Sequence, residues 1–487
     1  MRLDLPARLS ARYGSRVALS DLTSGTTLSF AELDQRAHLA AERLREQGIR
    51  PGDRISLLSG PDMAAVVLFF GGWRVGASLV PHNLRLSTTE LAEELDRVHP
   101  ALIVHGRGAP AELPVGGWRG GPPVSLGALT GPGATSASTP GEPPDWESPG
   151  LVLFTGGSTG RPKGAVLSLR ELFSNALTTV EGWQLRPEDS TILVFPMFHT
   201  GGWNVLLLPL LIAGGRSIFM ERFDPVELLR RIDEEKVTIL GGVPSMFIDL
   251  VGRPEFARAS LSSLRFAKSG GGSSPDAVVN AFRQRGIPFY QGYGLTEAGP
   301  NLLYSTTDDL DRPGTIGRPN LLADMKLVDE HGREGDVGEL LVSGPLLFSG
   351  YLDDPAASAA AMSGPYVRTG DVLRRDADGF YYFVGRTKLM FKSGGENVFF
   401  AEVEQALESH PAVAEAAVIG IPDLRWGEVG CAFVRRTRPV DEEEIVAFLR
   451  DRLAHFKVPR RFVWREEIPR TPAGKKDYPR LRREVGP

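Results

Sequence analysis

The chain has 487 residues, too many for one hydrophobic core of ordinary size, so two or more domains are expected. An apolar content of 42% and a charged content of 24% are those of a globular protein, and a net charge of -5 argues against a nucleic-acid binder, whose affinity rests on clustered cations. The single cysteine, Cys431, excludes an intrachain disulfide or a thiolate metal cluster; the first residues, MRLDLPARLSARYG, lack the apolar core of a signal peptide; and no run approaches the ~20 apolar residues of a membrane span. A cytoplasmic protein with no integral membrane segment is expected, and a homodimer is compatible with the chain.

From residue 28 onward, helical and strand patterns alternate. The order is a helix over 30–47, a strand over 54–59, a helix over 61–75, a strand near 78–81, a helix over 87–98 and a strand over 101–105. Such alternation predicts parallel-rich sheets covered on both faces. Residues 107–149 are rich in Gly, Pro and Ser and read as a surface excursion within the first domain, because the same alternation resumes beyond them. It runs through a helix at 171–183, a strand at 191–195, a helix at 203–213, a strand at 216–220, a helix at 225–236, strands at 237–241 and 264–268, a helix at 275–285 and a strand at 288–291. Past residue 310, short runs are separated by turn sequences such as DEHG and DADG, which predicts a small antiparallel sheet or barrel-like part. Beyond about 388 a new unit appears, with a helix at 400–409, strands at 412–419 and 429–435, a helix at 441–454 and a basic tail, enough for a small α+β domain. The expected organisation is an α/β domain over 1–387 and a smaller, mobile α+β domain over 388–487.

The most informative stretch is LVLFTGGSTGRPKG, residues 151–164, where an apolar run breaks into glycines, hydroxyls and one lysine. Gly156, Gly157 and Gly160 allow amide groups to converge on an anion, Thr155, Ser158 and Thr159 add hydroxyl donors, and Lys163 adds a compact positive charge. No lysine occurs before Lys163 in a chain that otherwise favours arginine, which hints that lysine is needed there. The string is not the GxxxxGK[ST] pattern, because Lys163 follows the last loop glycine by three residues. It resembles the signature loop of the adenylate-forming superfamily of acyl-CoA synthetases, adenylation domains and luciferases, TSGTTGxPKG, with Gly156 and Ser158 as the two departures.

Further motifs carry the same resemblance in order along the chain. FYQGYGLTEAGP, residues 289–300, is similar to the family's YGxTE element. A strand ending in a glycine-flanked aromatic places Tyr293 where its ring could stack on a base, and Glu297, just after Thr296, makes sense near phosphate mainly as a Mg²⁺ ligand. FAKSGGGSSP puts Gly270, Gly271 and Gly272 directly after a strand, in a segment that lines adenine and the acyl group in the family. PMFHTGGW resembles the family's aromatic-His element and assigns His199 and Trp203, together with Gly272 and Leu295, to an acyl pocket. Asp371 in VRTGDV and Arg386 in VGRTK fall on ribose-binding motifs, where a carboxylate suits vicinal hydroxyls. Lys388 matches the family's hinge, with Leu389 in place of the usual aspartate, and Gly394 and Gly395 match the loop lining the pantetheine channel of coenzyme A. Lys475, in IPRTPAGKK, coincides with the PxTxxGK lysine that reaches the active site in relatives.

The resemblance implies an AMP-forming ligase using ATP, Mg²⁺ and coenzyme A on a small-molecule carboxylic acid, with Lys475, His199 and Glu297 as catalytic groups. Gln291, Leu295, Ala298 and Trp203 are all uncharged, so an apolar, medium- or long-chain fatty acid is favoured. The motifs also fit an aryl-CoA ligase, an acyl-AMP ligase loading a carrier protein, or a catalytically silent nucleotide-binding relative.

Overall fold

The structure is a computed structural model describing residues 3–113, 118, 121–133, 144–155, 162–393, 396–471 and 474–485. It divides into two compact units, Met1–Asp324 with Val342–Val367, and Met325–Leu341 with Arg368–Pro487. The predicted class holds: both units mix helices and sheets, and the first is built on two large sheets.

One sheet of the first unit runs, in order, Gly350–Tyr351, Lys163–Ser168, Pro149–Thr155, Ser78–Pro81, Arg54–Leu58, Leu102–His105 and Val124–Ser125. Its central strands are parallel and apolar on both faces. Leu102 and Val104 join the main core while Ile103 joins a second cluster, and Leu151 and Leu153 are likewise separated from Val152. That is the period-two signature of a sheet covered on both sides. The strand Val124–Ser125 and the buried Leu126 and Leu129 bring the Gly/Pro-rich excursion back onto this unit.

Helix Met63–Val75 is strongly apolar, with 12 of its residues buried. It starts at the Asp62 cap and stops at Gly76, whose left-handed φ of 73° suits glycine. A Cβ on Gly71 would lie 2.7 Å from that of Ala40, so this glycine sets the close approach to helix Phe30–Glu46. No helix among the described residues is long and apolar enough to cross a membrane.

The second sheet of this unit places Val17–Asp21, Arg216–Phe219, Ser190–Leu193, Ile239–Gly242, Phe266–Ser269 and Phe289–Leu295 side by side and parallel, with Gly299–Tyr304 returning antiparallel. Its strands end at the glycine run after Ser269 and at the turn Thr296–Ala298.

In the second unit, antiparallel pairing joins Asp324–Val328 to Glu334–Gly335 and Tyr366–Arg375 to Tyr381–Arg386, an open ladder where a barrel-like part was expected. A further sheet pairs Glu396–Phe399 with Met390–Ser393 and the long hairpin Val413–Asp423 with Gly427–Arg436, and Arg461–Arg465 adds a parallel edge. Helices Phe400–Glu408, Glu442–Arg450 and Tyr478–Val485 contribute Phe400, Val403, Leu407, Ile445, Leu449 and Leu481 to its core.

Candidate active site

The segments flanking the predicted phosphate loop pair with each other. Strands Pro149–Thr155 and Lys163–Ser168 pair antiparallel, with Thr155 opposite Lys163, so the loop's first hydroxyl and its cation are held face to face by backbone hydrogen bonds. Gly156, Gly157, Ser158, Thr159 and Gly160 lie outside the described residues.

Glu297 meets this hairpin. Its Oε1 accepts the Thr155 hydroxyl at 3.3 Å and the Tyr351 hydroxyl at 2.9 Å, while its carbonyl accepts the Phe348 amide at 2.9 Å. Lys163 Nζ stands 5.1 Å from the centre of the Tyr351 ring. Burial first, and the Glu297 charge second, push the Tyr351 hydroxyl well above the ordinary range, so it remains a protonated donor. The arrangement brings together Thr155 and Lys163, predicted from one motif, and Glu297, predicted from another, and adds Tyr351. Gly350–Tyr351 is a two-residue strand paired with Val166 and Ala165, too short to show a period in sequence.

A second network steadies the hairpin's base. Arg97 donates to the Pro162 carbonyl at 2.7 Å and lies 5.3 Å over the Phe154 ring, whose other neighbour is the imidazole of His82 at 6.2 Å. His82 is fully buried between Glu94 and Ser56, each 2.9 Å from a ring nitrogen. These contacts join distant segments and had no sequence signal.

Tyr293, Leu295 and Thr296 are half-buried at the end of strand Phe289–Leu295 and the turn after it. Gly270 is half-buried, and Gly271 and Gly272 are exposed in a loop fastened by Ser274, whose hydroxyl reaches Ser269 at 2.8 Å and whose amide reaches Gln291 Oε1 at 3.0 Å. His199 is exposed just before a π-helical turn, Gly201–Val205, a geometry frequent at functional sites. Trp203 within that turn is fully buried, donating to the Met197 carbonyl and packing 5.3 Å from Phe69.

The sequence reading missed Lys268, although it sits inside the quoted FAKSGGG string. Its side chain is buried, 3.4 Å from Asn301 Oδ1 and 5.5 Å from the Trp183 ring centre. Burial pushes its ammonium down to about 8.

In the second unit Asp371 and Arg386 are register partners on adjacent strands, with Arg386 Nε 2.7 Å from Asp371 Oδ1. Asp371 is buried and Arg386 exposed, so the motif pair forms one polar unit. Lys388 is exposed in the tight turn closed by the Leu389 amide on the Arg386 carbonyl at 3.0 Å. Gly394 and Gly395 lie outside the described residues. Lys475 is exposed on a loop closed by the Thr471 amide on its own carbonyl, at 2.8 Å, and by Gly474 with a φ of 79°. Its neighbour Lys476 turns inward onto Glu404 at 2.9 Å and Glu408 at 3.1 Å, and Tyr478 donates to Glu404 at 3.0 Å.

Among the described residues no group of three or more His, Cys, Asp or Glu could hold a metal. Glu297 is a lone carboxylate among hydroxyls, a donor set that suits Mg²⁺ arriving with phosphate oxygens and water.

The chain matches known proteins over nearly its whole length. A family model described as AMP-binding enzyme matches residues 7–352, and one described as AMP-binding enzyme C-terminal domain matches 402–475. The chain is 35% identical to a feruloyl-CoA synthase of Amycolatopsis sp, covering 95% of each chain. It is 31% identical to a long-chain-fatty-acid–CoA ligase of Mycobacterium tuberculosis, covering 92% of this chain and 91% of the relative. Among solved structures it matches the o-succinylbenzoate CoA synthetase of Bacillus subtilis in complex with its acyl-adenylate intermediate, with a TM-score of 0.88, 26% identity, and coverage of 99% and 98%. The same Bacillus protein in complex with ATP and magnesium ion gives a TM-score of 0.88 at 26% identity, covering 97% and 98%.

Proposed function

The chain belongs to the AMP-binding enzyme family, and from that premise we propose that it is an AMP-forming acid–thiol ligase, joining a carboxylic acid to coenzyme A through an acyl-adenylate with ATP and Mg²⁺. The observation that carries the reading is the convergence of Thr155, Lys163, Glu297 and Tyr351 at the base of a Gly/Ser/Thr loop.

A carboxylate is a poor acyl donor because its leaving group would be oxide, and an anhydride with AMP replaces that with a phosphate ester. Carboxylate and α-phosphate repel, so cations must be placed in advance. Lys163 is held by its strand, and Glu297, oriented by two hydroxyls, would hold Mg²⁺, which neutralises phosphate charge when bound. Lys475 is assigned to the adenylation step, Asp371 and Arg386 to the ribose, and Gly394 and Gly395 to the pantetheine arm. A domain boundary at 387/388 with its hinge at Lys388 would let the protein alternate between adenylation and thiol transfer.

The relatives act on acids as different as a feruloyl group and a long-chain fatty acid, so the substrate is read from this chain's own residues. Leu295, Ala298 and Gln291 carry no charge, which favours an acid with an apolar body, a fatty chain or an aryl group. A cytoplasmic location fits the supply of ATP and coenzyme A, and a homodimer is compatible with this reading. The test is product analysis with ATP, Mg²⁺, coenzyme A and a panel of acids. AMP and a CoA thioester are expected in equal amounts; ADP, or an acyl-adenylate never passed to coenzyme A, would overturn the assignment.

A further inference from the structure

Helix Thr88–Val98 takes no part in the chemistry proposed above, yet its last turn is tied to the strands that carry Thr155 and Lys163. Glu94, Arg97 and Val98 stand at i, i+3 and i+4, the spacing of one helix face. Glu94 holds the buried His82 at 2.9 Å, and the His82 ring stacks on Phe154 at 6.2 Å. Val98 shares a buried cluster with Val80 and Val152, against which Phe154 and Val166 pack. Arg97 lies over Phe154, 5.3 Å from the ring centre, and its guanidinium donates to the Pro162 carbonyl at 2.7 Å. One side chain thus touches both strands, at the residue before Thr155 and the residue before Lys163.

The turn that carries Arg97 is itself anchored. The Val98 carbonyl, one of the helix's unpaired last acceptors, takes a hydrogen bond from Arg54 at 2.9 Å, and the same guanidinium grips both Asp353 oxygens at 2.9 and 3.2 Å. Arginine suits the post at 97, because its planar fork can lie on a ring and donate to a carbonyl at once, which a lysine's point charge does less well. Arg97 is exposed, so its contacts add little to folding stability. Their effect on geometry is another matter, since a displacement of about 1 Å in a group that holds a substrate can cost about 10²-fold in rate.

We propose that Arg97 is a positioning residue for ATP, acting through Phe154 and Pro162 to set where Thr155 and Lys163 meet the phosphates. The proposal rests on the ligase reading and adds to it a helix that lies outside every motif of the sequence.

The test is ATP–pyrophosphate exchange by the wild type, Arg97→Met and Arg97→Lys, with the acid that the wild type exchanges fastest, together with thermal melts of all three. Arg97→Met should raise the KM for ATP on the order of 10-fold or more, while the KM for the acid and the melting temperature stay at their wild-type values. Arg97→Lys keeps a donor and the charge and should recover part of that loss. An unchanged KM for ATP in Arg97→Met overturns the proposal. So does an equal rise in both KM values, a fall in melting temperature, or a loss of exchange that saturating ATP does not restore, each of which would mark general damage. A wild type that exchanges with no acid would instead sink the ligase reading.

Discussion

Lys476→Met perturbs the anchor beneath the loop that carries Lys475. The ammonium of Lys476 bonds Glu404 at 2.9 Å, Glu408 at 3.1 Å and the Ala416 carbonyl, and Glu404 is buried with its other contacts to the Val418 amide at 2.8 Å and Tyr478. Burial raises the pKa of the Glu404 carboxyl, and the Lys476 charge opposes that rise without cancelling it. Removing one partner of a buried ion pair costs roughly 3–5 kcal/mol. With Lys476 20% exposed and Glu408 36% exposed, the Glu408 arm adds little, so the lower end applies, about 3 kcal/mol. The sign with pH follows from Glu404. A carboxyl whose folded pKa exceeds its unfolded value favours folding when protonated, and losing Lys476 raises that folded pKa further. The variant's deficit should therefore be largest at pH 8 and shrink as pH falls through the raised pKa. Urea melts of wild type and variant at pH 5 and pH 8 measure both quantities. A loss below about 1 kcal/mol, or an equal loss at the two pH values, would refute the reasoning.

The adjacent residue should behave oppositely: Lys475→Ala is expected to leave the melts unchanged while slowing acyl-adenylate formation by about 10²-fold or more, and to spare conversion of supplied acyl-adenylate to thioester. Equal losses in both half-reactions would count against its role. Lys388→Pro fixes φ near -65° at the proposed hinge, so adenylation should continue while thioester formation collapses; full overall turnover would place the hinge elsewhere. Glu171 caps its helix by accepting the Ser168 amide at 2.6 Å, and burial pushes its carboxyl up to about 9. Its contribution to stability is full below the ordinary value of 4.5 and is lost as pH rises toward about 9, so Glu171→Gln should gain on the wild type across that window in thermal melts, and a constant difference would refute the shift.

The parallel sheets were legible because buried strands and amphipathic helices differ in period, as in Thr88–Val98 followed by Leu102–His105. Strand Lys163–Ser168 was given no element, because glycine and proline dominate the preceding residues and AVLS is too short to show an alternation. Tyr351 reaches Glu297 from 54 residues away through a two-residue strand, which no local pattern can announce. Lys268 was passed over because a lone lysine in a strand is normally a solvated edge residue, and its burial depends on Trp183 and Asn301, far away in sequence. The chain also threads back on itself, since 325–341 packs with 368–487, which a reading along the sequence cannot detect.

Formation of an acyl-adenylate by this protein is the central step to test. The direct measurement is exchange of labelled pyrophosphate into ATP, with no coenzyme A present, across a panel of carboxylic acids. Label should enter ATP only when both an acid and Mg²⁺ are supplied, and Glu297→Gln should require more Mg²⁺ to reach the same rate. Folded wild-type protein that binds ATP yet exchanges no label with any acid would contradict it.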